Sequence, residues 1–390
     1  MTGILKGVVV ADFSRVLSGP TATMFLADLG ADVIKMERPG TGDDTRAWGP
    51  PFLGNDSTYY LSSNRNKRSV VVDLATEEGI QAAQELIRRA DVVVENFRPG
   101  TMDRLGLGYA DSAASNPGVV FCSISGFGSG AGASKPGYDF IVQAMGGLMS
   151  ITGEADGEPM KVGVALVDVL VGLHATIGIL AGLRESEAHG VGRHVEINLL
   201  SSLLSSLANQ GSAFAAAGVV PSRMGNAHPS IAPYELFQAA DKPIAVACGT
   251  DRQFVSLCKV LGRPDLSNDD RFTTNQQRVA NRGLLRRELS ASFTEWSSAQ
   301  LLEELETVGV AAGPVNDVEE AFELAASLGL NPLQYVETPQ GTIPQLSSPL
   351  RFNGMPLEVA AAPPQLGEHT EEVMKWLGTP GATLPNKVRA

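Results

Sequence analysis

The chain has 390 residues, a formal net charge of −13, and 43% hydrophobic against 19% charged residues. That length leaves room for more than one domain, and the balance is ordinary for a soluble globular enzyme. The acidic charge argues against a general nucleic-acid or anionic-membrane binder, and Cys122, Cys248 and Cys258, without metal-like spacing, fit reduced thiols in a cytoplasmic protein rather than a disulfide framework.

The N-terminus lacks the basic start and apolar core of a signal peptide. Gly7 to Phe13 is a β-branched run that predicts a strand. Pro20 to Leu29 predicts a helix, with Pro at its start and Gly30 as its stop. Asp32 to Glu37 predicts a second strand, and Asn64-Arg-Asn-Lys-Arg68 places three charges just before another. Thr76 to Ala90 predicts a helix with acids in its first turn and Arg88-Arg89 in its last. Strands follow at Asp91 to Asn96 and Gly118 to Ser125, then a helix from Tyr138 to Thr152. Short apolar strands alternating with helices predict a parallel sheet covered on both faces, so the fold class is α/β with a large Rossmann-like domain. The run Val162 to Leu183 is long enough to span a bilayer, but Asp168 and His174 interrupt it and no aromatic belt frames it, so a buried core helix is expected.

Residues 217–235 are rich in Pro, Asn and Ser and read as a linker. A smaller α/β domain follows over 236–320: a strand at Pro243 to Cys248, then helices at Asp251 to Leu261, Arg282 to Thr294 and Ser298 to Val308. The large domain is expected over 1–216, and 321–390 as a return segment packing on it. The tail Asn386 to Ala390 is expected to fray.

Within the apolar helix Asp168 stands out, with Gly163, Gly172, Gly178 and Gly182 leaving space for a close neighbour. A buried carboxylate needs a reason. It can cap the helix start, or it can be a nucleophile in a dry pocket at a helix N-terminus; the two are compatible. Gly40-Thr-Gly42 follows the second strand and lacks the third Gly, so it is no nicotinamide site. Gly126 to Gly132 fits a flexible loop better than a phosphate cradle. The five His are scattered, which predicts no metal site, and no Gly-x-Ser-x-Gly elbow is present. Arg38, Arg104 and the 64–68 run lie near strand ends, where parallel sheets bind ligands, and guanidinium forks suit a phosphorylated one.

In this order, Asp12-Phe-Ser-Arg-Val-Leu-Ser-Gly-Pro20, Gly30 to Gly40, Asn66-Lys-Arg-Ser, Val94-Glu-Asn-Phe-Arg-Pro-Gly100, Gly137-Tyr-Asp139, Gly163-Val-Ala with Asp168, Gly225 to Tyr234, Gly313-Pro-Val and Leu366 to Thr370 resemble the class III CoA-transferase family, which includes formyl-CoA transferase and carnitine CoA-transferase. The resemblance covers nearly the whole chain. It implies that Asp168 is the nucleophile. It also implies that Leu17, Ser18, Arg38, Val72, Asp73, Leu74, Ala75, Asn96, Phe97, Arg98, Arg104, Gly137, Tyr138 and Asp139 lie along CoA or its thioester. It further implies acyl-CoA and a small carboxylic acid as substrates, no permanently bound cofactor, and an interlocked homodimer. Leu17 stands where formyl-CoA transferase has Gln, and the Gly run ahead of that enzyme's small domain is absent, so oxalate and formate specificity is not expected.

The expected activity is therefore acyl-CoA:carboxylate CoA transfer, through an aspartyl anhydride and an aspartyl–CoA thioester at Asp168. The guessed pair is succinyl-CoA and a small dicarboxylic acceptor. The alternatives are a 2-methylacyl-CoA racemase and a CoA-binding protein without turnover. Racemases of this family carry His where this chain has Tyr138, and tyrosine, with an unperturbed pKa of about 10, is a poor base near neutral pH.

Overall fold

The computed structural model describes residues 3–339 and 341–384, so the expected fraying of Asn386 to Ala390 lies outside the described residues. The chain forms two compact units: residues up to Leu148, Val162–Gly218 and residues from Asn331 onward make the first, and Met149–Lys161 with Val219–Leu330 the second. Residues 149–161, read from sequence as part of one continuous piece over 1–216, group with the second unit.

The first unit is built on a six-stranded sheet of β1 (Val9–Asp12), β2 (Asp32–Glu37), β3 (Lys67–Val71), β4 (Val92–Glu95), β5 (Val120–Ser125) and β6 (His194–Asn198). Their spatial order is 3-2-1-4-5-6 and every pairing is parallel. This is the doubly wound order, with the reversal between β1 and β4 where such sheets open a crevice at their carboxyl ends. The β-branched runs sit in the centre because both faces are covered. Val10, Val92, Val94 and Val120 face one way, against Ala22 and Leu26 of α1 (Ser18–Asp28) and against Val171, Ala175 and Ile179 of α4 (Leu166–His189). Ala11, Val93 and Phe121 face the other way, against Ala83 and Leu86 of α2 (Glu77–Arg89) and Val373 and Trp376 of α10 (Thr370–Leu377).

Local chemistry sets the ends of these elements. The Thr76 hydroxyl caps α2, accepting from Gly79 N at 3.1 Å, with Glu77 and Glu78 in the first turn as the sequence implied. Arg89 at its end donates to the carbonyls of Trp376 and Leu377, both at 2.9 Å, fastening the return helix. The helix expected over Tyr138 to Thr152 is shorter: α3 covers Asp139–Met145, and Gly147, at φ +87°, turns the chain before a single 3-10 turn at Met149–Ile151. The sequence reading also passed over β6, a half-exposed edge strand. After it come α5 (Leu199–Ser206) and α6 (Ala208–Ala217).

The second unit holds an antiparallel three-stranded sheet of β7 (Tyr234–Gln238), β8 (Pro243–Ala247) and β9 (Ala311–Pro314), with β8 central. Helices α7 (Asp251–Val260), α8 (Arg282–Phe293) and α9 (Ser298–Thr307) pack on it through Phe237, Ile244, Phe254, Leu257, Phe293 and Leu301. Only β8 and the three helices were expected.

Helix α4 is the one helix among the described residues long and apolar enough to cross a membrane. It is not buried all round: Val167, Val171, Ala175 and Ile179 are covered while Ile177 is 65% exposed. Its close approach to α1 depends on Gly172. A Cβ there would lie 2.9 Å from the Thr21 side chain and 3.0 Å from the Ser18 carbonyl oxygen. Gly172→Ala should therefore lower the thermal midpoint, because overpacking against the Ser18 backbone costs about 1–3 kcal/mol, all but the lower limit of which is more than the roughly 1 kcal/mol that Ala gains over Gly in a helix. Gly163→Ala, where the added Cβ meets nothing within 4 Å, should not lower it; equal midpoints for the two variants would contradict this packing.

Candidate active site

The carboxyl end of β1 is held by buried charge. The Asp12 carboxylate accepts from the hydroxyls of Ser14 and Thr23 at 2.5 and 2.7 Å and from Lys67 Nζ at 3.2 Å. Lys35, at the middle of β2, donates to the Ser14 carbonyl at 2.8 Å and pairs with Asp43 at 2.8 Å. Burial pushes the Asp43 carboxyl up, but Lys35 outweighs it and holds the group down at about 2. Between these anchors runs the segment 13–17, in which Val16 has φ +70°, a conformation that costs a β-branched residue energy. The Val16 amide faces the Asp43 carboxylate at 3.3 Å to each oxygen. From β4, the Asn96 side chain accepts from Arg15 N at 2.8 Å and donates to Arg15 O at 2.6 Å, tying this loop across the crevice.

The sequence left two roles open for Asp168. The structure gives the cap to another residue. Asp139, first residue of α3, accepts from Val167 N at 2.8 Å and from Asp168 N at 3.4 Å through Oδ1. Its Oδ2 accepts from Gln143 Nε2 at 2.7 Å. Asp139 can stand there because Gly126 and Gly137 lie backbone against backbone; a Cβ on either would sit 2.3 Å from the other's Cα. Asp168 is thus not the capping residue of α4, and its carboxyl faces Ser18 at the start of α1. Burial first, then the neighbouring Asp139 carboxylate, raises its pKa to about 7, while the Ser18 hydroxyl opposes the rise. Tyr59, missed in the sequence, faces both carboxylates and is pushed up by burial and by their charge.

A cleft of about 230 Å³ opens at Asp168, lined among others by Val16, Ser18, Asn96, Arg98, Gly137 and Tyr138. A second cavity of about 210 Å³ is lined by Phe13, Arg38, Val72 to Ala75 and Phe97. Arg15 and Phe97 line both, with the Arg15 guanidinium 5.1 Å from the centre of the Phe97 ring. The structure thus gathers most of the expected residues around two cavities that share a wall. Leu17, Arg104 and Asp139 line neither. Leu17 precedes α1 with Val16 on the cleft instead, and Arg104 is exposed on a single turn, donating to Thr101 Oγ1 at 3.0 Å. Arg15, Val16 and Lys135 are lining residues that sequence reasoning did not single out; the strain at Val16 had no sequence signal. Arg15, Arg38, Arg98 and Lys135 concentrate positive charge here, against the acidic chain as a whole, and Asp44 pairs with both Arg15 and Arg38. Among the described residues no cluster of His, Cys, Asp and Glu could hold a metal ion.

The sequence profile of CoA-transferase family III matches residues 5–370. Succinate–glutarate CoA-transferase of Agrobacterium fabrum is 43% identical over 383 residues, covering 96% of each chain. Acetyl-CoA:oxalate CoA-transferase of Acetobacter aceti is 40% identical over 384 residues, covering 97% of each. Among solved structures, a CAIB/BAIF family protein from Brucella suis superposes with a TM-score of 0.85 at 42% identity, covering 97% of this chain and 100% of that one.

The raised Asp168 pKa has a stability consequence. A carboxyl that titrates at about 7 when folded, against 3.8 ordinarily, binds its proton more tightly in the folded state. Its favourable share of stability is whole below 3.8 and is lost as the pH rises through about 7. Asp168→Asn should therefore raise the thermal midpoint, and raise it more at alkaline than at mildly acidic pH. A gain independent of pH in thermal denaturation would contradict the raised pKa.

Proposed function

The chain belongs to the class III CoA-transferase family and is a CoA-transferase, and we propose that it works through covalent catalysis at Asp168, passing CoA from a short dicarboxylic acyl-CoA to a second small dicarboxylate. The observation that carries the reading is the placement of Asp168: a carboxyl released from capping, faced by a hydroxyl, on the lining of a cleft that shares a wall with a second cavity. Asp168 attacks the thioester carbonyl, the C–S bond breaks, and an acyl–aspartyl anhydride and CoA thiolate result. The thiolate attacks the aspartyl carbonyl and expels the donor carboxylate, leaving an aspartyl–CoA thioester. The acceptor carboxylate attacks that carbonyl and expels thiolate, which then attacks the acceptor's own carbonyl in the new anhydride. Acyl-CoA forms and Asp168 is regenerated. Each hard displacement becomes two easier ones.

The rest of the crevice supports this chemistry. Val72, Leu74 and Phe97 give the second cavity an apolar lining suited to the flat, weakly polar end of CoA, and Arg15 and Arg38 stand beside it. Asp44 holds both guanidinium groups, and a phosphate would take its place. Arg98 and Lys135 on the Asp168 cleft suit the far carboxylate of a dicarboxylic acid; the Agrobacterium relative is named for succinate and glutarate. An acid nucleophile half protonated near neutrality is in its reactive form above about 7, so transfer rises with pH through that region. We also propose a homodimer, because Phe140 and Met145 of α3, Ile177 of α4 and Phe214 of α6 are each more than half exposed.

The racemase alternative needs a base where Tyr138 stands, and that side chain is 62% exposed at the cleft rim. One experiment separates the readings. With succinyl-CoA, glutarate and deuterated water, mass spectrometry should find glutaryl-CoA. With a 2-methylacyl-CoA and no acceptor acid it should find no α-deuterium, and Asp168→Ala should abolish transfer. More than about a tenth of the wild-type rate in Asp168→Ala contradicts the covalent role, since losing a nucleophile costs several powers of ten. Rapid deuterium uptake favours the racemase.

A further inference from the structure

Two side chains one helical turn apart on α3 control the approach to α4. Asp139 and Gln143 are i and i+4, so they share a face, and they bond to each other at 2.7 Å. Gln143 is fully buried and its Oε1 accepts from Val162 N at 2.9 Å, so it grips the strand of chain that leads to Gly163. Asp139 then grips the other side of that connection, the amides of Val167 and Asp168. Together they fasten both ends of the segment 162–168, whose only side chain with a charge is Asp168.

We propose that Asp139 is the positioning residue of Asp168: backed by Gln143, it fixes the first turn of α4 so that the Asp168 carboxyl is presented to the cleft. The inference rests on Asp168 being the nucleophile. The groups that face Asp168 are few. Asp139 is the neighbouring anion, Ser18 at the start of α1 supplies a hydroxyl, and Tyr59 and Tyr138 supply phenols. Around the cleft stand Arg15, Arg98 and Lys135, with Asp44 paired to Arg15. The Asp139 charge works with burial to raise the pKa of Asp168. A purely structural cap needs an acceptor atom and not a charge, and that difference makes the role testable.

Asp139→Asn keeps an acceptor oxygen for the two amides and removes the charge, at the cost of the bond from Gln143 Nε2, which then faces a donor. Assayed with succinyl-CoA and glutarate, it should remain folded and keep its KM for succinyl-CoA, while the acid limb of its kcat/KM profile moves down by about one pH unit. Asp139→Ala removes the acceptor as well and should lower kcat about a hundredfold, the scale of loss that a small misplacement of a reacting group produces. If Asp139→Ala does not fold, Asp139→Asn decides alone. An acid limb that stays in place in Asp139→Asn overturns the inference. Hydroxylamine trapping of the wild type with succinyl-CoA separates the two layers: an adduct on Asp168 with an unmoved acid limb removes only the positioning role, whereas the lack of an adduct on Asp168 removes the nucleophile and this inference together.

Discussion

Two lysines buried to 0% side-chain exposure, Lys35 and Lys67, set the conformation on which the rest of the crevice depends. Neither reaches water, so each must meet an anion, and Asp43 and Asp12 are the anions provided. Ion pairs of this kind are a poor source of stability, because desolvation offsets most of the attraction. Burial drags the Lys67 pKa down to about 8 even with Asp12 beside it. What the pairs supply is a defined geometry. Asp12 fixes Ser14 and Thr23 on either side of the β1–α1 loop, Lys35 holds the Ser14 carbonyl, and Asp43 faces the strained Val16 amide. The loop therefore enters α1 in a single way, with Ser18 against Asp168 and Val16 on the cleft. Loss of either lysine would strand a buried carboxylate and release that loop.

The same logic governs the second half of the site. A carboxyl whose lone pairs bind the backbone amides at a helix start has fewer of them left for reaction. Here the work is divided: Asp139 binds the amides and Asp168 is left to the cleft. The division puts two carboxylates side by side, which raises the pKa of the inner one. For a covalent nucleophile the arrangement suits both halves of the proposed cycle, because a more basic carboxylate attacks better and the neutral anhydride and thioester relieve the repulsion between the pair. The glycine contacts between α1 and α4, and between the ends of β5 and α3, bring the parts close enough for this to operate.

Much of this was legible in the sequence. The Val-rich runs at β1, β2, β4 and β5 carry the signature of strands buried on both faces, and β2 begins and ends where the pattern said. Helix α2 announced itself through Thr76, its acidic first turn and its arginines. The class III resemblance followed from ordered motifs and pointed to Asp168, Arg38, the 72–75 segment and Phe97. What was not legible depends on contacts distant in sequence. The edge strand β6 has too little burial to show a pattern, and the break after Met145 rests on a glycine whose positive φ is a tertiary choice. Asn96 lines the cleft, and nothing near it in sequence announced that its amide also engages the Arg15 backbone 81 residues away. The bonds from Asp139 to the first turn of α4, 28 residues on, likewise had no local signal.

The central claim is that the carboxyl of Asp168 is itself a participant in the transfer. It is tested most directly by following oxygen. In the proposed cycle the acceptor carboxylate supplies the bridging oxygen of the second anhydride, and cleavage by thiolate leaves that oxygen on the aspartate. With heavy-oxygen-labelled glutarate, unlabelled succinyl-CoA and enzyme in comparable amounts, the tryptic peptide spanning Val162 to Arg184 should gain label at Asp168, as read by tandem mass spectrometry. Label passing from glutarate into glutaryl-CoA and succinate alone, with Asp168 unlabelled after complete turnover, would contradict the account.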